Sequence, residues 1–89
     1  MNSSELKKKI GSRISLARKA NALTVKILAK KTGFGAPRIG NWEQGTRCPG
    51  PGEAMVLSRE LNVAASWLLC LTDDPRGEQI EHVILNDMR

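Results

Sequence analysis

The stretch KKTGFGAPRIGNWEQG, residues 30–45, holds four glycines and one proline, yet its remaining pattern is helical. Ile39, Trp42 and Glu43 follow one another at spacings of three and four. Only two helices with almost no chain between them reconcile such punctuation with such periodicity. Upstream, Thr24 is placed to accept an amide hydrogen bond as the cap of a helix whose inward residues include Val25, Leu28 and Ala29. Gly33 suits the left-handed position past the end of that helix. The next helix must start almost at once, with Gly35 as its cap. Pro37 falls in its first turn, where the missing amide proton costs little. Two helices joined by a short turn containing glycine form a helix-turn-helix, here about residues 24–43.

The rest of the chain supplies helices to pack against this pair. Leu6, Ile10, Ile14 and Ala17 recur at helical spacing and predict a first helix over about residues 4–20, capped by Ser3 or Ser4. Lys7, Lys8, Lys9, Arg13 and Lys19 are expected on its other faces. After Gly45 the run TRCPGPG is a loop. A fourth helix, about 53–61, turns Ala54, Leu57 and Leu61 inward, and a fifth, about 65–71, does so with Trp67, Leu68 and Leu71. TDDPRGE reads as a turn and boundary, so residues 1–72 form the domain and 73–89 a carboxy-terminal tail or linker. QIEHVILNDMR is compatible with a strand, a helix or a disordered tail. The only aromatic residues are Phe34, Trp42 and Trp67, with Leu, Ile, Val and Ala making up most of the apolar set. That composition favours packed helices, and the expected fold is all-α with five helices.

Charge is divided along the chain. Residues 1–47 carry eleven Lys or Arg against Glu5 and Glu43, a balance of +9, whereas residues 48–89 carry three against seven Asp or Glu, a balance of −4. The first half is the candidate surface for a polyanion. Cys48 and Cys70 lack metal-ligand spacing and are read as reduced thiols. His82 has no partner nearby in sequence and is read as a surface residue. No apolar run approaches a membrane span and no signal peptide is evident, which places the protein in the cytoplasm. With no phosphate loop and no nucleophile, base and acid constellation, neither an enzyme nor a cofactor or small-molecule site is expected.

The segment LTVKILAKKTGFGAPRIGNWEQGTRCP, residues 23–49, resembles the helix-turn-helix of the lambda-repressor-like, Cro/C1-type (XRE) family. The resemblance rests on Leu23-Thr24, Leu28-Ala29, Gly33, Ile39, Trp42-Glu43-Gln44-Gly45 and Arg47 ahead of Pro49, with LNVAASWLL resembling the family's last helix. It implies a domain that binds double-stranded operator DNA as a homodimer, often in bacterial, phage or plasmid transcriptional control. In the family Glu43 pairs with an arginine late in the first helix, and Arg18 occupies that place.

The third helix is then the recognition helix, and Ala36, Pro37, Arg38, Gly40 and Asn41 fall at its base-facing positions. Arg38 suits guanine O6 and N7, Asn41 suits adenine N6 and N7, and Ala36 a thymine methyl. Thr24, Lys26, Gln44 and Arg47 are the expected phosphate contacts. The family usually has longer polar residues where Ala36 and Pro37 stand, glutamine where Val25 stands and asparagine where Gln44 stands. Trp67, Leu68, Leu69 and Val83 to Leu85 are the expected dimer surface. The competing function is an antitoxin-like protein-binding module, in which the same domain and the acidic second half grip a toxin.

Overall fold

Five helices follow one another in the computed structural model, which describes residues 2–77: α1 (Ser3–Ala20), α2 (Val25–Thr32), α3 (Ala36–Gln44), α4 (Pro51–Leu61) and α5 (Ala65–Leu68). There is no strand among the described residues, and no helix there is long and apolar enough to cross a membrane. The cap of α1 is Asn2, not Ser3 or Ser4: Asn2 Oδ1 accepts the Glu5 amide at 2.8 Å, which puts both serines inside the first turn. Pro51 opens α4 two residues before the expected start, at a position that needs no amide donor.

One core runs through the bundle. Ile10, Ile14 and Ala17 of α1 meet Leu28 of α2, Ile39 and Trp42 of α3, Leu57 and Leu61 of α4, and Trp67 and Leu68 of α5. Leu6, the first residue of the predicted α1 stripe, stays partly exposed. The crossing of α1 over α3 is set by Gly11, which is buried. A Cβ there would overlap the Trp42 carbonyl oxygen and lie 2.7 Å from that of Glu43, so only glycine lets the two backbones approach this closely. At the other end of α1, Asn21 Nδ2 donates to the carbonyls of Ala17 (2.8 Å) and Leu61 (2.9 Å) and ties α1 to the end of α4.

The last helix differs from the sequence expectation. It stops at Leu68, and Leu71, predicted to face inward, is 67% exposed. The Trp67 carbonyl, which a continued helix would give to the Leu71 amide, accepts instead from the Cys70 amide at 3.0 Å and from Arg13 Nη1 at 2.7 Å. Cys70 then takes a left-handed φ of 62°, and Thr72 and Asp73 follow against Arg13 of α1.

Arg13 is thus no solvent-facing cation of α1. Its side chain is 12% exposed, its guanidinium lies 5.0 Å from the Trp67 ring centroid, and it also binds the Thr72 carbonyl (2.7 Å) and Asp73 (2.9 Å). Farther on, the Ala64 amide donates to the Pro75 carbonyl at 2.7 Å, so residues 72–77 pack on the helical body. Trp67 and Leu68 lie in the core at 7% and 0% exposure, which removes them from the expected dimer surface. Residues 78–89 of the tail, with His82 and Val83 to Leu85, fall outside the described residues.

Replacing glycine by alanine inside a helix ordinarily stabilises it by about 1 kcal/mol. Gly11→Ala is expected to do the reverse, lowering stability by roughly 1–3 kcal/mol through overpacking against the α3 carbonyls. Chemical denaturation of the two proteins measures the sign directly.

Candidate nucleic-acid interface

The turn between α2 and α3 is determined by short polar contacts. Gly33 adopts φ 80°, and its amide closes α2 on the Ala29 carbonyl at 2.9 Å. Thr32 Oγ1 donates to the Leu28 carbonyl (2.8 Å) and accepts the Phe34 amide (3.2 Å). Phe34 then meets Trp42 edge to face, with centroids 5.4 Å apart and planes at 80°. Ile39 and Trp42 bury the inner face of α3.

The orientation of α3 is locked from α1 by an ion pair. Arg18 Nε and Nη2 donate to the two oxygens of Glu43 at 2.7 and 2.9 Å, while Nη1 donates to the Leu23 carbonyl at 2.9 Å. Both side chains are only 13% exposed. The hydrogen bond to Glu43 raises the Arg18 pKa above its already high ordinary value; burial opposes that shift and the Glu43 charge adds to it. One guanidinium thereby joins α1, the segment before α2, and α3.

With its inner face committed, α3 presents the opposite one. Pro37, Asn41 and Gln44, four and three residues apart, form an exposed stripe, and Ala36 is exposed beside it. Gly40 is half-buried, and a Cβ built on it meets nothing within 4 Å, so no packing contact requires glycine there. The helix ends at Gly45, with φ 80°, where an added Cβ would come within 2.8 Å of Lys8 Cγ. The Asn41 carbonyl accepts both the amide and the hydroxyl of Thr46 at 3.1 Å, and that hydroxyl lies 3.4 Å from Asn41 Oδ1. Thr46, which the sequence did not single out, therefore ties the following loop to the Asn41 carbonyl.

Arg38 occupies the flank of α3 nearest α4. It is 57% exposed, its guanidinium stands 5.8 Å from the Phe34 ring centroid, and Nη1 is 3.3 Å from Glu53 Oε2. Neither partner was legible as such in the sequence. An open cleft of about 370 Å³ begins there, and Lys7, Thr46, Arg47 and Glu53 line it with Arg38. Lys7 is thus the α1 cation brought to Arg47. Thr24 lies outside that cleft, at the start of α2. Its Oγ1 accepts the Ile27 amide at 3.1 Å, which leaves the hydroxyl proton free to donate, and Lys26 is exposed two residues on.

An all-α body with a tight helix-turn-helix, an exposed third helix and cations on either side of it defines the class: a helix-turn-helix DNA-binding domain. The family described as helix-turn-helix matches residues 14–68, and the chain belongs to that family, of the Cro/C1 type. It is similar to a Bacillus subtilis (strain 168) protein named as the uncharacterized HTH-type transcriptional regulator YobD, being 35% identical over 63 residues. That match takes in 71% of this chain and 56% of the relative, so the chain spans just over half the relative's length. No solved structure matches the chain significantly.

Glu43→Ala leaves Arg18 partly buried without its carboxylate. It is expected to cost about 3 kcal/mol, far more than loss of an exposed ion pair. Denaturant unfolding of this variant beside Glu5→Ala, which removes an exposed carboxylate, checks the difference.

Proposed function

We propose that the protein is a sequence-specific transcriptional regulator of the repressor kind that seats α3 in the major groove of operator DNA, two copies to a site. The observation that supports this best is the division of α3 into a buried face clamped to α1 and an exposed stripe of Pro37, Asn41 and Gln44 that the core does not use. Asn41 on that stripe matches the N6 and N7 edge of adenine, Arg38 on its α4 flank the O6 and N7 edge of guanine, and Ala36 beside it a thymine methyl. Pro37 and Gly40 carry little bulk, which favours close approach of the helix backbone to the base edges. The relative's name as a transcriptional regulator agrees with this reading.

Phosphates are assigned to the flanks. Thr24 and the first amides of α2 present donors and partial positive charge, with Lys26 beside them. On the other flank Gln44, Arg47 and Lys7 take the corresponding role. Such contacts supply affinity and register, while the outer face of α3 supplies sequence preference. A single domain of this size reaches few base pairs, so two copies are assigned to half-sites about one helical turn apart. With Trp67 and Leu68 buried, half-buried Leu69 and exposed Leu71 are the apolar leucines after α5, among the described residues, assigned to the contact between copies.

Selection of bound duplexes from a random pool tests this function and reads the operator. Recovery of no preferred sequence, or of a single unrepeated half-site bound by one chain, would count against it. On the selected operator, Arg38→Ala is expected to lose about 1–3 kcal/mol of preference at one base pair per half-site. Arg47→Ala should instead weaken all duplexes alike and flatten the salt dependence by about one counterion. Titrations against operators altered one base pair at a time, at two salt concentrations, separate the two roles. Gly40→Ala is expected to raise folding stability by about 1 kcal/mol, because its Cβ enters open space, yet weaken operator binding. Thermal unfolding and DNA titration of the same preparation check both halves.

A further inference from the structure

We propose that Glu53 is a specificity-setting positioning residue: it holds Arg38 in place to read a base and keeps phosphates from the amino terminus of α4. This rests on the DNA-reading role of α3 proposed above. The two oxygens of Glu53 have different partners. Oε1 accepts the Gly50 amide at 2.9 Å, which ties the carboxylate to the first turn of its own helix. Oε2 faces Arg38 Nη1 at 3.3 Å. A carboxylate fixed to backbone on one side makes a steadier partner than a free surface glutamate.

The guanidinium has a second restraint in Phe34, whose ring is seated edge to face on core residue Trp42. Contacts thus run without a break from the core through Trp42 and Phe34 to Arg38, and from α4 through Glu53 to the same group. A free arginine loses much rotamer freedom when it forms a two-pronged contact with guanine; one already held loses less. Arginine has five N–H donors, so a single bond to Glu53 leaves a fork for the base.

The charge of Glu53 has a separate effect. Helix amino termini attract phosphate, and here the Gly50 amide is taken by a side chain that repels it. The same carboxylate stands in the cleft with Lys7 and Arg47, where it reduces the pull of that flank on any DNA backbone. Holding Arg38 improves the correct complex, while repelling phosphate weakens the indiscriminate one. Both changes widen the ratio between operator and random DNA.

Two substitutions separate these effects. Glu53→Gln keeps an acceptor for the Gly50 amide but removes the charge. It is expected to raise affinity for a random duplex roughly threefold and to shrink discrimination at the Arg38 base pair by a similar factor. Glu53→Asp keeps the charge but withdraws it from Arg38; it should lose the discrimination and leave random-duplex affinity low. In an Arg38→Ala background neither substitution should alter base preference. Binding of the full chain to its selected operator, to single-base variants and to a random duplex, with thermal unfolding of each variant, gives every quantity needed.

Equal loss on all duplexes in step with lowered stability would mean that Glu53 only caps α4, and would overturn the proposal. Unchanged discrimination, or a change that persists without Arg38, would overturn it as well. If the unsubstituted protein prefers no sequence, the reading of α3 fails with it; a preference independent of Glu53 defeats this inference alone.

Discussion

The crossing of α1 over the end of α3 determines where every functional group can lie. Two contacts make it. Gly11 admits the Trp42 and Glu43 carbonyls against the α1 backbone, and Arg18 grips the Glu43 side chain while also holding the Leu23 carbonyl ahead of α2. One is a steric opening and the other a two-pronged ion pair, so together they set both the distance and the rotation of α3. Such a pair in a mostly buried setting adds less stability than its short distances suggest, because both charges have left water. Its worth lies in geometry: with α3 rotated this way, Ile39 and Trp42 must face inward and Pro37, Asn41 and Gln44 outward.

From that crossing, order passes outward along the α2–α3 turn. Trp42 seats Phe34, Phe34 lies beside Arg38, and Glu53 holds Arg38 from the α4 side. On the neighbouring stripe the Thr46 hydroxyl bonds to the Asn41 carbonyl. The Arg38 side chain proposed to read a base is therefore supported by residues that need touch no DNA themselves. The glycines around them serve different ends. Gly33 and Gly45 take positive φ at the ends of α2 and α3, whereas Gly40 meets no constraint inside the fold. A helix weakened where its own packing asks for nothing agrees with the close approach to DNA proposed for α3.

The opposite end of the molecule shows how far a single side chain can redirect local preference. Periodicity carries α5 to Leu71, but Arg13 takes the Trp67 and Thr72 carbonyls and the backbone turns at Cys70. Tertiary hydrogen bonding from a residue more than fifty positions away outcompetes one more turn of helix. The same event moves a cation from the expected polyanion surface into the structural interior, leaving Lys7 as the α1 residue beside Arg47.

Local signals were enough for the helix-turn-helix itself. Thr24 as cap, Gly33 as left-handed terminator, Gly35 and Pro37 at the next helix start, and Ile39 and Trp42 as the buried face all act within a few residues, where spacing and backbone chemistry speak directly. The Arg18–Glu43 pair was legible through family resemblance, since nothing local links residues 25 apart. Arg13 on Trp67, Gly11 under the α3 carbonyls and Glu53 on Arg38 were not legible. Each joins segments distant in sequence, and a lysine-flanked arginine or a helix-start glutamate reads as solvated until a partner is known. The chain's own chemistry thus determined which face of α3 is left open; the seating of α1 against that helix and the approach of Glu53 from α4 determined which side chains steady it, because only the assembled core brings those distant groups within bonding distance.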